Sequence, residues 1–166
     1  MVRTITRPPP ADLYESDFNA WAELQAKLLQ QHRFDELDLG HLIEEVADLR
    51  KAERNAVLKS ARQIIAHFLK LEHSPVARPR RGWKETIGTQ RTDLEEILSP
   101  TLRGELQKEL AAVYLRARRN AARDLLQDKV AEKTLPKRCP YTLEQILDPD
   151  WLPESRHGVG DDADTL

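Results

Sequence analysis

The stretch running from Leu39 to Glu72, LGHLIEEVADLRKAERNAVLKSARQIIAHFLKLE, decides the fold. It holds no proline, and its one glycine, Gly40, falls in the first turn, where a helix tolerates it. Leu42, Val46, Leu49, Ala56, Ile64, Phe68 and Leu71 recur as a nearly continuous apolar stripe at helical spacing. The run predicts one long helix, or two joined by a kink near Arg50 to Arg54, where the stripe is weakest.

Upstream, Phe18, Trp21, Leu24, Ala26, Leu28 and Leu29 keep the same period after Ser16 or Asp17, both suitable N-caps, and predict a first helix to about His32. Arg33 to Asp38 interrupts the period, and Asp38 is placed to accept backbone donors where the next helix starts. Before these lies Arg7-Pro8-Pro9-Pro10, which cannot enter a helix interior, so residues 1–13 are expected to form a flexible lead-in.

Downstream, Pro75 and Pro79 enclose an expected loop from Ser74 to Gly82. Trp83, Ile87, Leu94, Ile97 and Leu98 mark a third helix. Ser99-Pro100 reads as an N-cap followed by proline at the first helical position. It opens a fourth helix, to about Gln127, with Leu102, Leu106, Leu110, Tyr114, Ala117, Ala121 and Leu125 inward. After a proline-broken connector, Thr142 and Gln145 have capping-box spacing for a short helix to about Leu147. Residues 154–166, with their acidic run Asp161-Asp162-Ala163-Asp164, are expected to stay disordered for want of apolar surface.

Composition agrees. Of the 166 residues 33% are charged and only 5% aromatic, and the balance favours strong helix formers. One core suffices at this length, so a single helical domain is expected over 14–153. The formal net charge of -2 argues against a dedicated nucleic-acid or membrane-surface protein. Cys139 is the only cysteine, which rules out an intramolecular disulfide and fits a reducing compartment. With no apolar run near membrane-spanning length and no apolar leader between Met1 and Pro10, the expectation is a soluble, cytoplasmic protein.

Several runs carry a resemblance: Tyr14-x-x-Asp17-x-x-x-Trp21, Leu42-Ile43-Glu44-Glu45-Val46, His67-Phe68-Leu69-Lys70, Trp83-x-x-Thr86-Ile87-x-x-Gln90-Arg91, and Cys139-Pro140-Tyr141-Thr142-Leu143-Glu144-Gln145-Ile146-Leu147. Together, from about Tyr14 to Pro153, the chain resembles the bacterial family catalogued as domain of unknown function 29. The resemblance implies an all-helical domain and transfers no activity or catalytic residue.

The residues themselves offer three candidate chemistries. His41, Glu44 and Glu45 lie about one turn apart and suggest a divalent metal held from one helix face. Against it, the second motif of a two-metal bundle is missing, and acidic residues near a helix start suit the macrodipole unaided. Glu44, Glu45, His67 and Arg91 form a catalytic set, with Arg62-x-x-x-x-His67 matching the loose spacing of some helical ribonucleases. The plainer reading makes His67 a hydrogen-bonded, partly buried residue and pairs Arg91 with a carboxylate in a structural network. Arg78, Arg80, Arg81 and Lys84 flank Trp83, while Arg116, Arg119 and Arg123 share a helix face, so together they are candidates for nucleic-acid contact. The alternative is a solvated basic face balanced by the acidic segment from Asp35 to Asp48, with Trp83 in the core.

Tyr141 and Trp151 are expected to pin the C-terminal segment. The overall expectation is an all-α antiparallel bundle of four main helices with a short C-terminal helix, without a cofactor. No nucleophile with its base and no phosphate-cradling glycine loop is visible. The reading therefore favours a non-catalytic interaction module with an unidentified protein partner over a helical enzyme, metal-dependent or ribonuclease-like.

Overall fold

The computed structural model describes residues 10–160. It is all-α: among the described residues there are six α-helices, two short 3₁₀ turns and no strand. The helices are α1 (Pro10–Ser16), α2 (Phe18–Gln30), α3 (Leu39–His73), α4 (Arg80–Ile97), α5 (Pro100–Leu125) and α6 (Leu143–Leu147). By backbone contact the chain divides into two compact units, one up to Lys51 and the other from Ala52. The division falls inside α3, in the stretch where the apolar stripe is weakest, yet α3 runs through it as one uninterrupted helix.

In the first unit, α1 begins at Pro10, so the helix starts within the expected lead-in; proline suits a first helical position because its missing donor has no partner there anyway. Residues 1–9 lie outside the described residues. Asp17 separates α1 from α2 and caps the latter, its carboxylate accepting from the Ala20 amide at 3.0 Å. Of the predicted α2 stripe, Trp21 and Leu28 are buried with Gln25, while Phe18, Ala26 and Leu29 are exposed. The helix ends with His32 in the left-handed region at φ 57°; the His32 amide donates to the Leu29 carbonyl and the Arg33 amide to that of Leu28. This is a Schellman ending without its usual glycine.

In the second unit the C-terminal half of α3 packs closely against α4 and α5. Its core is Val57, Ile64, Ile65, Phe68, Leu69 and Leu71 from α3, Ile87 and Leu94 from α4, and all seven residues expected to face inward on α5. Ser99 caps α5, accepting from the Leu102 amide at 3.3 Å, with Pro100 at the start of the helix. The turn after α5 repeats the Schellman pattern, with Lys129 at φ 60° and the Val130 amide donating to the Leu125 carbonyl at 3.0 Å.

The connector then brings Leu135 and Tyr141 into the core, and the Thr142–Gln145 capping box forms in full before Leu143 and Ile146 bury on the short α6. Tyr141 and Trp151 both meet the Phe68 ring edge to face at 5.2 Å and pin the segment, as expected.

Two local expectations change. The predicted loop to Gly82 ends at Pro79, because Arg80 opens α4 and is itself buried, its Nη1 donating to the Leu71 carbonyl at 2.8 Å. A guanidinium at the last turn of α3 satisfies a carbonyl that the helix leaves without a partner. The expected tail from Glu154 is anchored at its start. The Arg156 amide donates to the Glu72 carbonyl at 2.9 Å, the Arg156 side chain reaches Glu72 Oε1 at 2.7 Å, and His157 Nε2 lies 3.1 Å from the His73 carbonyl. The acidic run at 161–166 lies outside the described residues.

Candidate functional site

At the head of α3, in the first unit, Asp38 gathers a polar cluster. Its Oδ1 accepts from the His41 amide at 3.4 Å, which caps the helix. Its Oδ2 accepts from Trp21 Nε1 at 3.2 Å and lies 2.7 Å from His41 Nδ1, while its own amide donates to Gln25 Oε1 at 2.9 Å. The His41 imidazole stacks on Tyr14 with ring centroids 3.8 Å apart, and the Tyr14 hydroxyl donates to Glu45 Oε1 at 2.6 Å. The hydrogen bond with Asp38 raises the His41 pKa, and the same bond lowers that of Asp38. The bond to Glu45 pushes the Tyr14 hydroxyl up to about 12.

The metal candidates His41, Glu44 and Glu45 are therefore committed differently. His41 is tied to Asp38, Glu45 holds Tyr14 and Glu44 is exposed. Among the described residues, no group of three or more His, Cys, Asp and Glu side chains is placed to hold a metal ion.

Arg91, in the second unit, forms no ion pair with a carboxylate among the described residues. It is 7% exposed and donates to four main-chain carbonyls: Nε to Ile146 at 3.0 Å, Nη1 to Pro149 at 3.2 Å, and Nη2 to Gln145 and Trp151, each at 2.9 Å. Its face lies 5.3 Å from the centroid of the Phe68 ring. Main-chain carbonyls thus stand where a carboxylate partner was expected: the last carbonyls of α6 have no partner within so short a helix, and a planar fork of donors suits several at once.

His67 is partly buried, and its Nδ1 finds no hydrogen-bond partner among the described residues, against expectation. Burial, reinforced by the Lys70 charge, pushes its pKa down to about 4, so the ring is neutral near pH 7. Lys70 is itself 8% exposed, held 3.1 Å from Asp124 and 5.3 Å from the centroid of the Trp83 ring. Trp83 packs against the core, which favours its structural reading.

The basic candidates are dispersed in role. Arg80 is buried on the Leu71 carbonyl, Arg81 pairs with Glu85 at 3.0 Å, and Arg123 donates to Asn120 at 3.1 Å. Arg78, Arg116 and Arg119 are exposed, while Lys84 is half-buried. Arg116 shares a groove between α3 and α5 with Lys59 and Arg62, two cations that the sequence reading did not group with it. Their spacing from Asn55, at four and seven residues, was the available signal.

The long helix also departs from its predicted stripe. Ile64, Phe68 and Leu71 are fully buried, whereas Val46 and Leu49, expected inward, are 66% and 67% exposed. Leu39 and Ile43 are as open, at 58% and 69%, so the first three turns of α3 carry an uncovered apolar face. Among the described residues, no helix is long and apolar enough to cross a membrane.

What these features define is an all-helical protein. The family described as Domain of unknown function DUF29 matches residues 13–152, and the chain belongs to it. No curated protein and no solved structure matches the chain.

Proposed function

We propose that this chain is a non-catalytic protein-interaction domain and that the face of α3 formed by Leu39, Ile43, Val46 and Leu49 is its docking surface. The observation that carries the reading is the exposure of all four apolar side chains on one helix face, each between 58% and 69%. Contiguous exposed apolar residues at helical spacing are how amphipathic helices meet one another. The partner that fits is a second copy of the same helix, running antiparallel. A stripe of this kind can cover itself across a two-fold axis, each copy presenting the same four side chains to the other.

The stripe rises only about 15 Å, so by itself it falls short of the roughly 1,000 Å² of a stable interface, and the association is weak and concentration-dependent. The enzymatic alternative has less support, because Arg91 uses its donors on carbonyls and Glu45 is engaged by Tyr14. The same reading places the protein in a bacterial cytoplasm, where the lone Cys139 stays reduced.

Sedimentation equilibrium of the full chain and of Ile43→Glu and Val46→Glu tests this. Both sites are exposed, so the variants keep the helical spectrum. The mass of the wild type rises toward that of a dimer with concentration, and either substitution returns it to the monomer. A wild type that stays monomeric throughout, or variants that associate equally well, overturns the proposal.

A further inference from the structure

A second site lies wholly in the second unit. Asn55, Lys59 and Arg62 from α3 and Arg116 from α5 line one groove of about 280 Å³, floored by the apolar Leu58 and Val113. Several cations of this unit meet carboxylates: Arg54 binds Glu105 and Glu109, Arg118 binds Glu132, Lys70 binds Asp124 and Arg156 binds Glu72. Lys59, Arg62 and Arg116 have no such partner among the described residues. The groove's one carboxylate, Glu109, shares Arg54 with Glu105, and the three cations still outnumber it.

Three like charges held around one cleft repel one another, and an anion entering between them relieves that repulsion while gaining charge-assisted hydrogen bonds. We propose that this groove binds a small phosphate ester, the phosphate meeting Lys59, Arg62 and Arg116 and the Asn55 amide available to a neighbouring oxygen.

Size and surroundings favour a small ligand over a polymer. The cleft lies just under the ~300–1,000 Å³ of ordinary ligand sites. Of the other basic candidates, Arg80 is held on a carbonyl, Arg81 on Glu85 and Arg123 on Asn120, which leaves exposed Arg119 on α5 to extend the groove toward a nucleic-acid backbone. The net charge of -2 opposes non-specific attraction of a polyanion.

Isothermal titration of the full chain with inorganic pyrophosphate, alongside a single-stranded RNA oligomer, tests the proposal. Pyrophosphate binds one per chain and raises the melting temperature. Its affinity falls about tenfold or more in Lys59→Gln and in Arg116→Gln, as expected for loss of a charge-assisted contact. Both side chains are exposed, so the variants melt as the wild type does without ligand. Absence of both heat and melting shift with pyrophosphate overturns the site, as does equal binding by the variants. RNA binding far tighter than pyrophosphate, abolished by the same substitutions, overturns the small-ligand assignment in favour of nucleic acid.

Discussion

The Nε of Arg91 lies 3.0 Å from the carbonyl oxygen of Ile146, 55 positions further along the chain. With its bonds to Gln145, Pro149 and Trp151, this one side chain ties α4 to the end of α6 and the segment beyond. Burial lowers the Arg91 pKa, and Asp148 and Asp150 offset part of that effect, so the charge is retained inside.

Arg91→Ala leaves four carbonyls without a donor and is expected to destabilise the fold by roughly 3 kcal/mol. Arg91→Lys keeps the charge but not the planar fork, and recovers less than half of the loss. Denaturant unfolding measures both as shifts in midpoint at constant slope. An unchanged midpoint for Arg91→Ala would mean that the clasp is not maintained in solution.

Acid should weaken the fold before carboxylates titrate. His67, at about 4, and His73, also lowered by burial, bind fewer protons when folded than when unfolded, where histidine titrates near 6.5. Their contribution is complete above pH 6.5 and is lost as pH falls through the window toward 4. For the partly exposed His67 this amounts to about 1–2 kcal/mol after allowance for solvent screening. His41 acts in the opposite sense, since its raised pKa stabilises at low pH and that gain fades as pH rises past the folded value. Unfolding midpoints between pH 7 and 4.5 should slope downward into acid, and His67→Gln should flatten the slope; a parallel slope in the variant refutes the assignment.

Removal of residues 154–166 should lower the melting temperature modestly. The truncation takes away the Arg156 contacts to the Glu72 carboxylate and carbonyl and the His157 contact to the His73 carbonyl, all at the end of α3. With Arg156 half exposed, about 1 kcal/mol is at stake. Glu72 keeps its bond from Tyr141 at 2.8 Å, so the core stays closed. Calorimetry showing no change would mean that the segment detaches in solution.

How far the sequence speaks for the structure differs from helix to helix. α5 was legible throughout, because Ser99-Pro100 marks its start and its seven inward residues have a partner surface to bury against. α3 was legible as a helix but not in its covering: the same period runs from Val46 to Leu71, and periodicity reports a face without reporting whether anything packs on it. Arg91 and Arg80 escaped for another reason. Their partners are main-chain carbonyls, which every residue carries, so no side-chain pairing pattern announces them. Asp38 was read correctly as a cap, whereas its bonds to Trp21 and His41 depend on a turn whose path the residue types alone do not specify.

The left-handed endings at His32 and Lys129 have a consequence for engineering. Each asks a side-chain-bearing residue for a conformation that glycine adopts freely, at a cost of roughly 1 kcal/mol. Neither position belongs to the apolar face of α3 or to the basic groove. The two turns are thus reserves of thermal stability, open to a glycine exchange while both surfaces are left as they are.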